Sequence, residues 1–134
     1  MNNIYYRYVN LNPKDRKVDD CVVRAIANAT GQSWEQTVRE MTELGIKKGC
    51  LLNDPKLIPL YLKEKGFSQM NEPRKYDNTK MSVKEWLSSR DGWLWHSYKI
   101  VAVVGTHHIT AIINNQVQDI WDCTRKTMHK WWVK

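Results

Sequence analysis

The chain has 134 residues, 21 of them Lys or Arg against 14 Asp or Glu, for a net charge of +7. That length suffices for one domain, residues 1–134, with one real core. The apolar runs are too short for a membrane span, and three scattered cysteines exclude a disulfide scaffold.

The N-terminus, Met1-Asn2-Asn3-Ile4-Tyr5-Tyr6-Arg7, lacks the basic start and apolar segment of a signal peptide, so a cytoplasmic location is expected. An odd cysteine count suits a reducing compartment. Residues 4–9 read as a short strand rich in aromatic and β-branched side chains. Residues 10–16 form a loop broken at Asn12-Pro13. Next comes Asp19-Asp20-Cys21-Val22-Val23-Arg24-Ala25-Ile26-Ala27-Asn28-Ala29-Thr30, in which Arg24 is the one charge after the cysteine. Asp20 is placed as the helix cap and Gly31 as the stop. A helix this apolar on every side is a buried helix. Cys21 falls in its first turn, where free N–H groups and the helix dipole favour a thiolate. The two acids beside it act the other way, and a cysteine here also serves simply as core filling.

Ser33 and Gln36 predict a capping box for a second helix running to about Ile46, with Gly45 and Gly49 marking its end. Asp54 and Pro55 start a third helix, closed by Gly66. Residues 66–70 are a connection or short strand, and 71–80 a polar surface loop. Ser82 and Glu85 form a further capping box, opening a helix to about Ser89, and Asp91-Gly92 reads as a turn. From there the period changes, with strands expected at 98–104, 108–113, 117–121 and 128–133. Helices followed by an antiparallel sheet make an α+β pattern.

Asn114-Asn115 suits a two-residue hairpin turn, because both residues tolerate positive φ. Ile113 then pairs with Gln116, and His108, Thr110, Asp119 and Trp121 share one face. His108 and Asp119 come within reach of an imidazole–carboxylate hydrogen bond. A three-residue loop would instead bring Asp122 opposite His108. His107 faces the other way. A cysteine at a helix tip with a His and an Asp on neighbouring strands is the parts list of a thiol nucleophile. Nothing has zinc-ligand spacing, so neither a metal site nor a cofactor is expected.

The string from Asp19 to Ala27, with His108-Ile109-Thr110-Ala111-Ile112 and Asp119-Ile120-Trp121-Asp122, resembles small bacterial and phage papain-like cysteine peptidases. The resemblance is closest to bacteriocin-leader-processing members. It covers residues 10–27 and 100–132. It implies a papain-like fold, with N-terminal helices and a buried nucleophile helix packed on a C-terminal antiparallel sheet. It also implies Cys21 as nucleophile, His108 as base and Asp119 as orienting acid. Such enzymes place a Gln before the cysteine as oxyanion donor. This chain has none there, and Asn12 is the side chain that would take the part.

The function expected is a cysteine hydrolase, a peptidase or amidase, acting on a protein or peptide, with a host protein among the candidates. One alternative is an inactive papain-like fold used by a phage or mobile element to grip a host protein or small ligand. Another is a basic nucleic-acid-binding domain, which the charge allows but no recognised motif accompanies.

Overall fold

The computed structural model describes residues 3–134, so Met1 and Asn2 of the N-terminal stretch read above lie outside the described residues. The elements run β1 (Tyr6–Tyr8), α1 (Cys21–Thr30), α2 (Trp34–Lys48), α3 (Leu57–Glu64), β2 (Ser68–Met70), α4 (Val83–Leu87), α5 (Arg90–Leu94), β3 (Lys99–Val104), β4 (His108–Ile113), β5 (Gln116–Asp119) and β6 (Met128–Val133). The six strands form one sheet in the order β1-β5-β4-β3-β6-β2. Helices packed on a mostly antiparallel sheet make this an α+β fold. No helix of the described residues is long and apolar enough to cross a membrane.

Strand alternation divides the core in two. Val101, Ile109, Ala111 and Trp132 pack with Ile26 of α1, Met41 of α2 and Leu57 of α3. Ile100, Ala102, Ile112 and Trp131 pack with Val83, Trp86 and Leu87 of α4. Both faces of the central strands are therefore covered, which is why β3 reads as an almost unbroken apolar run. Trp86 and Trp131 lie 4.9 Å apart by ring centroid in the second layer, and Trp95 packs edge-on to Trp131.

The β4–β5 hairpin has the register expected of a two-residue loop. Asn114 and Asn115 have φ of 54° and 61°, and Ile113 pairs with Gln116. Gly31 ends α1 in the left-handed region, at φ 72°. Ser82 and Glu85 form the full reciprocal capping box, whereas Ser33 accepts from Gln36 N–H while the Gln36 side chain turns to Glu40.

β1 runs parallel to β5, with Tyr8 opposite Asp119; the long stretch of chain between them permits a parallel crossover. Three local expectations are corrected. Asp54 and Pro55 precede α3 in a turn of their own, in which Asp54 accepts from Lys56 N–H, and the helix begins at Leu57. Asp91-Gly92 lies inside α5, capped by Ser89, because a side chain at Gly92 would strike the Trp86 carbonyl of α4. Gly45 does not end α2. It sits within the helix, where an added Cβ would lie 2.3 Å from the Cys50 carbonyl oxygen.

Helix propensity favours Ala over Gly, but here contact opposes it. Gly45→Ala is expected to lower the thermal midpoint, by about 1–3 kcal/mol of stability as overpacked sites do. An unchanged or raised midpoint in a thermal melt would show that the Cys50 turn yields freely.

Candidate active site

Cys21 is the first residue of α1, so its own N–H has no acceptor within the helix. His108 is the first residue of β4, and Asp119 the last of β5. The hairpin register brings the latter two together: His108 Nε2 donates to Asp119 Oδ2 at 2.6 Å. That leaves Nδ1 as the imidazole nitrogen free for a thiol. Cys21 lines the same cleft as His108, and the imidazole and the Ile109 N–H both favour its anion. Trp121, half exposed, stands edge-on to the imidazole with ring centroids 4.9 Å apart and covers one side of it.

Asp119 is 2% exposed and accepts four hydrogen bonds. Oδ2 takes His108 and the Thr110 hydroxyl at 2.7 Å; Oδ1 takes Arg24 Nη1 at 2.8 Å and the Ile120 N–H at 2.7 Å. Tyr8 of β1 lies opposite it, and the Asp119 backbone carbonyl accepts from the Tyr6 hydroxyl and the Val9 N–H. Asp122 points elsewhere, accepting from Asn3 and Thr124. His107 is exposed in the turn before β4, outside the strand whose alternation was to turn it away, and it borders the same cleft as Cys21 and His108.

Asp20 occupies the cap position of α1, but its side chain caps nothing. It turns inward to Arg24 Nε at 2.7 Å and accepts from Trp34 Nε1 and Asn12 Nδ2. A buried guanidinium four residues on is a stronger partner than a backbone N–H. Asn12 therefore does not stand free as an oxyanion donor. Its Nδ2 is bound to Asp20, and its Oδ1 accepts from the N–H groups of Lys14 and Arg16. The donor on hand for an oxyanion is the first-turn backbone of α1.

Arg24 is the residue that pattern reading passed over. It is 6% exposed and joins Asp20 to Asp119. The signal was available: a lone Arg in a buried apolar run needs a carboxylate, and Asp20 stands four residues before it. Cys123, fully buried, also comes close to the imidazole, its sulfur lying within 4.8 Å of the His108 and Asp119 ligand atoms.

These contacts set the charge states. Burial pushes the Cys21 thiol up, but the hydrogen bonds from His108 and Ile109, with the charges of His108 and Arg24, bring it below its ordinary value. Burial disfavours charge on His108, yet hydrogen bonds to Asp119, Cys123 and Cys21, with the Asp119 charge, raise it to about 11. Burial also opposes the Asp119 anion, and His108, Thr110 and Arg24 hold it below the usual carboxylate range. The Cys21 and His108 shifts both favour a thiolate beside an imidazolium.

His108, Asp119 and Cys123 bring their ligand atoms within 4.8 Å of one another, a grouping with the donor types of a zinc site. Its surroundings oppose a cation. Both Asp119 oxygens are filled, and Arg24 places a positive charge 2.8 Å from one of them.

A cleft of about 380 Å³ opens over Cys21 and His108, bordered by Asp19, Gly105, Trp121 and Lys126. It adjoins, through Thr106 and His107, an apolar pocket of about 290 Å³ lined by Val22, Ile58, Val103, Ile109 and Trp132.

The network makes stability depend on pH. Asp20 and Asp119 titrate lower folded than unfolded, so the stability they add is present above their unfolded value, about pH 4, and lost as acid protonates them. His108 titrates higher folded, so its contribution is full below about pH 6.5 and lost as pH rises toward about 11. Urea denaturation at a series of pH values is expected to show greatest stability between these limits. His108→Gln should flatten the alkaline side; an alkaline slope unchanged in that variant would remove His108 as its source.

Set beside known proteins, this chain matches no family model, no curated protein and no solved structure.

Proposed function

We propose that the protein is a papain-like cysteine hydrolase cleaving an amide or related acyl bond through a thioester. The observation that carries this reading is the line from the first turn of α1 through His108 to Asp119, with Nε2 bound to the carboxylate and Cys21 sharing a cleft with the imidazole. The Cys21 thiolate attacks the substrate carbonyl carbon. The oxyanion meets the first-turn N–H of Cys21. Collapse breaks the acyl bond, and the leaving amine takes its proton from His108. The imidazole, now neutral, then takes a proton from water, whose oxygen attacks the thioester, and collapse releases the acid and restores the Cys21 thiolate beside the imidazolium. Asp119 holds the ring in place through both halves.

A peptide or protein substrate fits the surroundings. The cleft holds the scissile bond, and the apolar pocket beyond His107 accommodates a neighbouring apolar side chain. The basic surface favours acidic stretches around that side chain by attraction.

Iodoacetamide labelling with peptide mapping at neutral pH is expected to modify Cys21 ahead of Cys50 and Cys123. Cys123 lies close to His108 but is closed to solvent. If Cys50 or Cys123 labels first, Cys21 is not the activated thiol.

With fluorogenic peptides and nitrophenyl esters as substrates, Cys21→Ala should fall to background. His108→Ala should cost far more than His107→Ala. Asp119→Asn is expected to lower kcat by roughly 10²–10⁴, and Asp122→Asn by little. Circular dichroism and melts exclude unfolding. Full turnover in Cys21→Ala would sink the hydrolase reading and leave a binding module on this fold.

A further inference from the structure

Arg24 needs a reason to be where it is. A guanidinium is costly to bury, yet this one lies inside the nucleophile helix with its side chain 7% exposed. It is held from two directions: Nε reaches Asp20 Oδ1 at 2.7 Å, and Nη1 reaches Asp119 Oδ1 at 2.8 Å. Asp20 is itself fixed by Asn12 and Trp34. The two cations on Asp119 take different oxygens, Arg24 on Oδ1 and His108 on Oδ2.

We infer that Arg24 is a positioning residue that sets the working pH of the thiol, neutralising part of the Asp119 charge that His108 faces while drawing the Cys21 thiolate forward. The inference deepens the hydrolase reading and rests on it. Hydrolysis asks His108 to surrender a proton to the leaving group. An unneutralised carboxylate at 2.6 Å, closed to water, holds that proton. A guanidinium on the far oxygen weakens the hold without disturbing the hydrogen bond that orients the ring. The same positive charge lies close enough to Cys21 to favour its anion. Removing it therefore shifts both partners in one direction, toward higher pH.

The charged and titratable groups around the pair come from every neighbouring element. α1 and the loop before it supply Asp19, Asp20 and Arg24; β1 supplies Tyr6, whose hydroxyl donates to the Asp119 carbonyl; β4 and the turn before it supply His108 and His107; β5 supplies Asp119; the following segment supplies Cys123 and Lys126. Among the described residues, only Arg24 bridges two of the acids.

The test is the rate of Cys21 alkylation by iodoacetamide as a function of pH, read by peptide mapping, with circular dichroism to confirm folding. Arg24→Met is expected to move the midpoint up by about one pH unit, roughly tenfold in rate on the lower limb. Arg24→Lys keeps the charge and loses the two-way bridge, so it should melt earlier yet keep the wild-type midpoint. A wild-type midpoint in Arg24→Met overturns the inference, because a merely structural arginine would affect melting alone. So does an equal shift in both variants, which would assign the effect to geometry instead of charge. Should Arg24→Met fail to fold, Asp20→Asn decides. It leaves the guanidinium to Asp119 and is expected to move the midpoint down, further than Asp19→Asn does, since Asp19 borders the cleft but lies off the bridge. Equal shifts there overturn the inference too. None of these readings uses turnover. A wild-type protein that hydrolyses nothing would end the hydrolase reading without deciding the midpoints.

Discussion

The buried bridge from Asp20 through Arg24 to Asp119 is the constraint on which the rest depends. It ties the first turn of the central helix to the end of β5, and so ties Cys21 to the carboxylate that holds the His108 ring. Breaking such a bridge at one member strands a charge in the interior, which costs about 3–5 kcal/mol in comparable buried pairs. Every side chain around it is placed to prevent that. Asn12 and Trp34 complete Asp20; Thr110 and the Ile120 N–H complete Asp119. A loop, two helices and two strands thus meet in one polar network, and the apolar layers on either side keep water out of it.

Chemistry local to a few residues was readable in the sequence. Asn114-Asn115 announces its turn because both backbones accept positive φ, and that turn dictates which acid meets His108. Ser82 and Glu85 announce a helix start for the same local reason. Partnerships across the fold were hidden. Asp20 looks like a cap because it stands directly before the helix; its spacing to Arg24 hints at a pair, but the second carboxylate of the bridge, Asp119, lies far along the chain. Asn12 looks free because its partner, Asp20, looks occupied. Gly45 and Gly92 look like breaks in helices, yet each is small because another backbone passes close by. Cys123 looks remote from the imidazole because the segment after β5 folds back on it only in three dimensions.

The sheet explains the tryptophan content in the same terms. A sheet covered on both faces needs large side chains where a short helix such as α4 supplies little area of its own, and Trp86, Trp95 and Trp131 fill that layer together. The first layer, under α1, is built from Ala25, Ile26 and Ala29 against Ile109 and Ala111. Small residues there let the helix sit close to β4, and closeness brings the thiol to the imidazole.

The parallel pairing of β1 with β5 has a consequence for the order in which the protein acquires its chemistry. The Asp119 carbonyl is gripped by Tyr6 and Val9, and Tyr6 lies 113 positions before it in the chain. Contacts of such separation form late, since chain entropy must be overcome before they add stability. β1 has no edge to join until the β4–β5 hairpin has left the ribosome. Cys21 therefore emerges well ahead of His108 and Asp119, and the three come together only once that hairpin has closed on β1.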